Sequence, residues 1–323
     1  MAFNIDKIDK RILFEMDDYA RIPETKLAKM VNRSKASIRY RIKQLEQKKI
    51  ITGYHAWIDP TKVGYQVYKI YLKVANKPKR RKEFIDYIKK EKSVFWLGVA
   101  DGAWDLGITF FAKNNTDFYE FQHKSFYKFR DIILSKKTAV VAEVVISPKG
   151  FLLDQKKHKR THFFLNPAKN QLDYIEYSML RLLFKNARIS IVEMARQTKS
   201  TVDMVRTRLK RLENTGVIVC YKATIDHNKI GMEFFKTFLY LSQIDPDQEK
   251  KMVNYLLSHP NILHVVKQVG PWEIELEIMV ENYLKYTEIL NEIKEHFPDE
   301  IMDVDTAIMG GDYVFPCRDI VFE

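Results

Sequence analysis

Residues 34–64 read SKASIRYRIKQLEQKKIITGYHAWIDPTKVG, and residues 201–231 read TVDMVRTRLKRLENTGVIVCYKATIDHNKIG. In the first, Ser34 is placed to cap a helix whose Ile38, Ile42 and Leu45 face inward at helical spacing. The β-rich stretch from Ile50 to Ile58 follows as wing and exit strand. Arg39, Arg41, Lys43, Leu45 and Glu46 return in the second copy as Arg206, Arg208, Lys210, Leu212 and Glu213. The match extends outward: a slide of 167 residues lays 5–64 on 172–231 without a gap, about a third of positions identical. Ala20, Arg21 and Ile22 return as Ala187, Arg188 and Ile189, and Tyr54, Asp59 and Gly64 as Tyr221, Asp226 and Gly231. Further on, a shift of one more residue sets Gly102-Ala103-Trp104-Asp105 against Gly270-Pro271-Trp272-Glu273. Chance does not produce this, so the chain is an internal duplication.

Each copy begins with three short helices. Asp6 caps a stripe of Ile8, Ile12, Leu13 and Met16, Pro23 opens a second helix carrying Leu27, Met30 and Val31, and the third is basic. Three such helices followed by a strand predict a winged helix-turn-helix. The remainder of each copy reads strand, helix, two strands, helix, strand. In the first copy Tyr68, Ile70, Leu72 and Val74 alternate with Lys69, Tyr71 and Lys73 as a half-buried strand. Helices are expected at 80–92 and 116–134, and strands at 94–99, 106–112 and 138–146. The order βαββαβ predicts a ferredoxin-like (ACT-like) module. The fold class is therefore α+β: two winged helix-turn-helix domains, 1–53 and 172–220, alternate with two ferredoxin-like modules, 54–147 and 221–323. Between the halves, 148–171 reads as an exposed basic linker around Lys156-Lys157-His158-Lys159-Arg160.

Charge separates the parts. Net charge is +12 overall, but residues 1–171 carry +18 and residues 172–323 carry −6. Module one is net +7 and module two net −10, so unlike modules attract and like modules repel. That predicts a pseudo-dimer of module one on module two, within one chain or between two chains, with a homodimer or higher oligomer left open. Apolar runs such as Ala139–Ala142 are too short for a bilayer, and MAFNIDKIDK lacks the apolar core of a secretory signal. Cys220 and Cys317 show no metal-ligand spacing. A cytoplasmic protein with reduced thiols fits, although a disulfide between the two stays open.

The strings IDKIDKRIL, ARIPETKLAKMV and SKASIRYRIKQLEQKKIITGYHAWIDPTKVGY, with their counterparts from Leu172, resemble the Lrp/AsnC (feast/famine) family of transcription regulators in tandem-fused form. The resemblance implies modules paired sheet to sheet, and an amino acid or related small molecule bound near the Gly-X-X-Asp turn. No other cofactor and no metal is called for. On the helix-turn-helix, Lys35, Ser37, Arg39, Tyr40 and Lys43 are expected on the DNA side of the third helix. Thr201, Arg206, Thr207 and Lys210 take that face in the second copy. Residues 21–49 are net +8 and residues 188–216 net +4, and Asp203 replaces Ala36 early in the helix. The first head is therefore expected to dominate, with Arg41 and Arg208 turned toward acids instead.

At the turn, Gly102, Trp104 and Asp105, with Gly270, Trp272 and Glu273, admit two readings. They form a ligand pocket walled by the tryptophans, or a structural hairpin with packed indoles and carboxylates bound to backbone amides. Two other functions share this architecture. Fused siroheme decarboxylases resemble it, with His264 as the residue that would carry the likeness; a nucleoid architectural binder would differ only in its low specificity ratio. No Gly-rich phosphate loop or nucleophile–base arrangement is apparent, so a non-enzyme is expected.

Overall fold

The computed structural model describes residues 3–154 and 160–315; the basic run 156–159 and Cys317 lie outside the described residues. The first copy opens with α1 (Lys7–Asp18), α2 (Glu24–Val31) and α3 (Lys35–Gln47). The Asp6 carboxylate accepts from the amides of Ile8 and Asp9, and α2 stops at Asn32, which takes a left-handed φ of 53°. Then come β1 (Ile51–Ile58), β2 (Gln66–Val74), α4 (Pro78–Ile88), β3 (Val94–Gly102), β4 (Leu106–Ala112), α5 (Asn115–Tyr127) and β5 (Ile133–Ile146). A short β6 (Thr161–Phe163) leads to the second copy: α6 (Tyr174–Lys185), α7 (Ile191–Gln197), α8 (Val202–Asn214), β7 (Ile218–Ile225) and β8 (Glu233–Leu241). It ends with α9 (Pro246–Leu256), β9 (Ile262–Val269), β10 (Ile274–Val280), α10 (Tyr283–His296) and β11 (Ile301–Val314).

The wing strands do not stay with their own halves. β1 pairs antiparallel with β7 to form a ribbon shared by both helix-turn-helix units. The repeated residues meet across it reciprocally. Ala20 N donates to Tyr221 O at 2.7 Å and Ala187 N to Tyr54 O at 2.8 Å. Arg21 donates to the carbonyls of Ala187 and Ile189, and Arg188 to that of Ala20. Each guanidinium also lies over the other half's tyrosine, Arg21 over Tyr221 and Arg188 over Tyr54.

Each module has the order expected of βαββαβ, β3-β4-β2-β5 in one and β9-β10-β8-β11 in the other. Their edges join as β3 to β11 and β5 to β9, so the eight strands close on themselves. α4 and α5 cover the outer face of the first sheet, where Ile70, Leu72, Phe84, Ile108 and Phe129 are buried. α9 and α10 cover the second. The inner faces meet in an aromatic core of Tyr71, Trp104, Phe238 and Trp272. β2 is therefore covered on both faces: Lys69 and Tyr71, read as its solvent side, are 7% and 2% exposed because the other module lies against them.

Two expectations are corrected. The helix of 116–134 ends at Tyr127, since residues beyond it turn to bury Phe129 and Ile132 beside Phe84, and β5 starts at Ile133 rather than 138. Lys136 and Lys137 break the apolar alternation there, yet β2 pairs with them regardless, Leu72 opposite Lys136 and Tyr71 opposite Lys137. The linker is also no free tether: Leu152 is buried against α1, and Phe163 in β6 is buried where β6 pairs with β5.

One ion triad ties α1 to both the linker and the other half. Asp17, fully buried, accepts from Lys149 Nζ at 2.7 Å and lies 3.2 Å from Lys222 Nζ on β7. Burial alone would raise its carboxyl, but the two ammonium groups outweigh it and hold the pKa down to about 2. A depressed carboxylate contributes stability above its unfolded pKa and loses it as pH falls toward the folded value, here from roughly pH 4 down to 2. The contribution is about 2 kcal/mol. Urea unfolding of the wild type should weaken across that window, whereas Asp17→Asn should be less stable at pH 7 and lose less stability between pH 4 and 2 than the wild type does; an equally steep acid limb in the variant would remove Asp17 as a contributor.

Candidate nucleic-acid interface

α3 and α8 are held outward by the same devices. The Ser34 hydroxyl accepts from Ser37 N and the Thr201 hydroxyl from Met204 N, fixing the first turn of each helix. One face is buried, with Ile38, Ile42 and Leu45 in α3 and Val205, Leu209 and Leu212 in α8. The opposite face carries Lys35, Arg39, Tyr40 and Lys43 in the first head, all exposed, with Ser37 partly covered. In the second head Thr201, Arg206, Thr207 and Lys210 are all exposed. Tyr40 leaves 64% of its surface in water, which an apolar ring does without gain unless something else contacts it.

The arginines divide into two sets. Arg41 is bound to Asp6 at 2.8 Å and Asp9 at 2.7 Å, tying α3 to the start of α1. Arg208 is bound to Asp173 at 2.8 Å and Arg211 to the buried Glu176 at 2.6 Å, tying α8 to α6 in the same way. These brace the heads. Arg39 and Arg206 lie on the open face but are engaged: Arg39 with Glu24 of α2 at 2.9 Å, Arg206 with Asp203 one turn earlier at 2.5 Å. Both pairs are solvent-exposed and worth little, so a phosphate can displace either acid. Lys35 and Lys43 have no ion pair among the described residues, leaving the first head the stronger bare positive field.

The turn residues are brought to the seam between the modules, but as structure. Trp104 and Trp272 are 3% and 1% exposed and pack on Tyr71 and Phe238, with centroids 4.5–6.1 Å apart. Both indole Nε1 atoms are buried without a hydrogen-bond partner among the described residues. Asp105 accepts from Val74 N at 2.8 Å, and Glu273 from Leu241 N at 2.8 Å, so both carboxylates are occupied by backbone. Gly102 has φ 118°, and a Cβ there would sit 2.5 Å from Thr306 O; one on Gly270 would sit 2.7 Å from Ala139 Cβ. These glycines let the two modules close on each other. The geometry at the turn matches the packed-hairpin reading of these residues.

Sequence reasoning missed the charged centre of that seam. Glu275, with no exposed surface, accepts from Lys69 at 2.8 Å, from Lys236 at 2.5 Å and from the Tyr71 hydroxyl. Glu277 joins Lys236 to His264, each at 2.5 Å. Burial would raise both carboxyls, but the cations around them keep each below the ordinary carboxylate range. The available signal was Lys69 returning as Lys236 at the same offset of 167. Among the described residues no three His, Cys, Asp or Glu side chains are grouped to hold a metal, and no helix is long and apolar enough to cross a membrane.

A winged helix-turn-helix DNA-binding family model matches residues 5–52 and 172–219. The regulator LrpA of Pyrococcus abyssi is 34% identical over 113 residues, 35% of this chain and 79% of that protein. The chain belongs to the Lrp/AsnC family. It is a DNA-binding transcription regulator with a duplicated α+β architecture. An uncharacterized helix-turn-helix regulator of Pyrococcus furiosus is 28% identical over 128 residues, 39% of this chain and 82% of that protein. Among solved structures, a siroheme decarboxylase in complex with an iron-uroporphyrin III analogue aligns with TM-score 0.65 at 11% identity, over 98% of this chain and 96% of that one. At that identity the likeness is one of fold.

Glu24 and Asp203 pair with the arginines on the exposed faces of α3 and α8 in this Lrp/AsnC chain. Asp203→Ala should tighten binding to random-sequence duplex by roughly two- to fivefold at low salt, and Glu24→Gln should act in the same direction. Weaker binding by Asp203→Ala, measured by fluorescence anisotropy, would instead make that carboxylate a base-reading group.

Proposed function

We propose that this protein is a sequence-specific regulator in which one folded chain does the work of a two-chain dimer, with two unequal DNA-reading heads. The observation that carries it is the shared β1–β7 ribbon, which sets α3 and α8 on one rigid support in a single chain. Lys35, Ser37, Arg39, Tyr40 and Lys43 make the stronger head; Thr201, Arg206, Thr207 and Lys210 make the weaker, with Asp203 opposing phosphate. A cytoplasmic location suits this role. The division into two heads, 1–53 and 172–220, and two modules, 54–147 and 221–323, joined by 148–171, is the working domain plan. An amino-acid-like effector at the turn would have to displace the packed Trp104 and Trp272.

The buried Glu275 cluster supports pairing of module one with module two, since a second copy of either module would leave lysines or glutamates unmatched. His264 is taken up by Glu277 and stacks edge-on to Trp57, which favours a structural role over the decarboxylase reading. An architectural DNA binder is separated from a regulator by the ratio of operator to random-duplex affinity.

Two measurements test this reading. Lys35→Glu with Arg39→Glu should flatten the slope of log affinity against log salt by about two or more, and Arg206→Glu with Lys210→Glu by less; the reverse ranking overturns the order of the heads. The thermal midpoint should not change over a roughly hundredfold range of protein concentration, because both modules are in one chain. A midpoint that rises with concentration would mean the modules pair between chains.

A further inference from the structure

β5 is flanked on one side by two different strands. β2 pairs with it as far as Val140, β6 pairs with it from Val144, and between these it has no strand partner on that side among the described residues. A cavity of about 520 Å³ opens at this gap, bordered by Val140–Ala142, the start of β2 and the segment 164–169. That volume is within the range of small-molecule sites. The lining is apolar below, with Val67 and Val141, aromatic at the sides, with Tyr65 and Phe164, and cationic at the rim, with Lys113 and Lys169. No acid lines it; Asp117 borders only the adjoining depression of about 200 Å³.

The roof is a strap under tension. Phe164 has φ 65° and Asn166 φ 55°, left-handed conformations that a bulky side chain such as Phe resists. The strap is held there by the junction between β1 and β2. Asp59 accepts from Phe164 N at 2.9 Å, and Lys62 Nζ donates to the carbonyls of Leu165 and Asn166 at 2.8 and 2.7 Å. Ala168 N and Asn170 N donate to Thr61 O and Lys62 O. Beyond Asn170 the chain enters α6 of the second head within four residues. The strap comes from the interdomain segment, and the position matching Lys113 in the second copy is Glu281, so the cationic rim is particular to the first module.

We infer that this cavity is a binding site for a small organic anion, its apolar body over Val67 and Val141 and its acid group between Lys113 and Lys169. Occupancy fastens the strap from below and so stiffens the approach to the second head. This inference goes beyond DNA recognition and does not depend on it.

The test uses the full chain and anilinonaphthalene sulfonate, an aromatic anion whose fluorescence rises on transfer from water. One saturable site is expected. Lys113→Glu with Lys169→Glu should weaken it by roughly tenfold or more, the loss expected for hydrogen bonds to a charged group. Ala142→Trp, which fills the mouth without altering charge, should abolish it, and Lys82→Glu on α4 should leave it unchanged. Amide exchange at Ala168 and Asn170 should slow when the probe is bound. Binding that ignores both the rim reversal and Ala142→Trp, absence of saturable binding, or unchanged exchange in the strap would each overturn the proposal. No readout involves DNA, so failure here leaves the regulator reading standing.

Discussion

The carboxylate of Glu275 is sealed between two modules, and the fold is arranged around keeping it charged. An unpaired ion in such a place would cost several kcal/mol or simply take up a proton. Here Lys236 supplies one cation from the same module, and Lys69 and Tyr71 reach it from the other. The cross-module partners are what make the arrangement exclusive. A buried ionic cluster of this kind adds less to stability than an apolar core would, but it penalises every mismatched pairing. The aromatic core around Trp104 and Trp272 supplies the area, and the cluster supplies the choice.

Once the modules are matched, the heads have little freedom. Two edge-to-edge junctions, β3–β11 and β5–β9, remove relative sliding of the sheets, and the β1–β7 ribbon carries that rigidity upward. Arg21 and Arg188 then cross-brace the helix-turn-helix units through each other's backbone. Symmetry stops there. Asp17 with Lys149 and Lys222 secures the first head, whereas the corresponding contact of the second is His55 Nδ1 on Phe184 O at 2.5 Å. Duplication within one chain allows such drift, because each copy needs only to fit the other and not itself.

Much of this was written openly in the sequence. The three-helix pattern, the caps at Asp6 and Ser34 and the βαββαβ order are local signals, set by periodicity and side-chain hydrogen bonds, and they are found as read. Ala20, Arg21 and Tyr54 stood out as repeated residues. That they repeat because each grips its opposite number is a long-range fact, and periodicity carries no information about distant partners. The same limit explains Lys69 and Tyr71, whose alternation with apolar residues is the pattern of a solvent face until another module covers it. It also explains Trp104 and Asp105, whose spacing suits a ligand turn and a packed hairpin equally. The cavity beneath the strap had no motif at all, being formed where two strands fall short of each other along β5.

The claim on which the rest turns is that one chain sets two reading helices on a single support. Hydroxyl-radical footprinting of duplex DNA saturated with one chain per site tests it most directly. Two protected stretches on one face of the duplex, about one helical turn apart, are expected, the stretch under the first head being the more strongly shielded. A single protected stretch, or two that appear only at two chains per site, would contradict it.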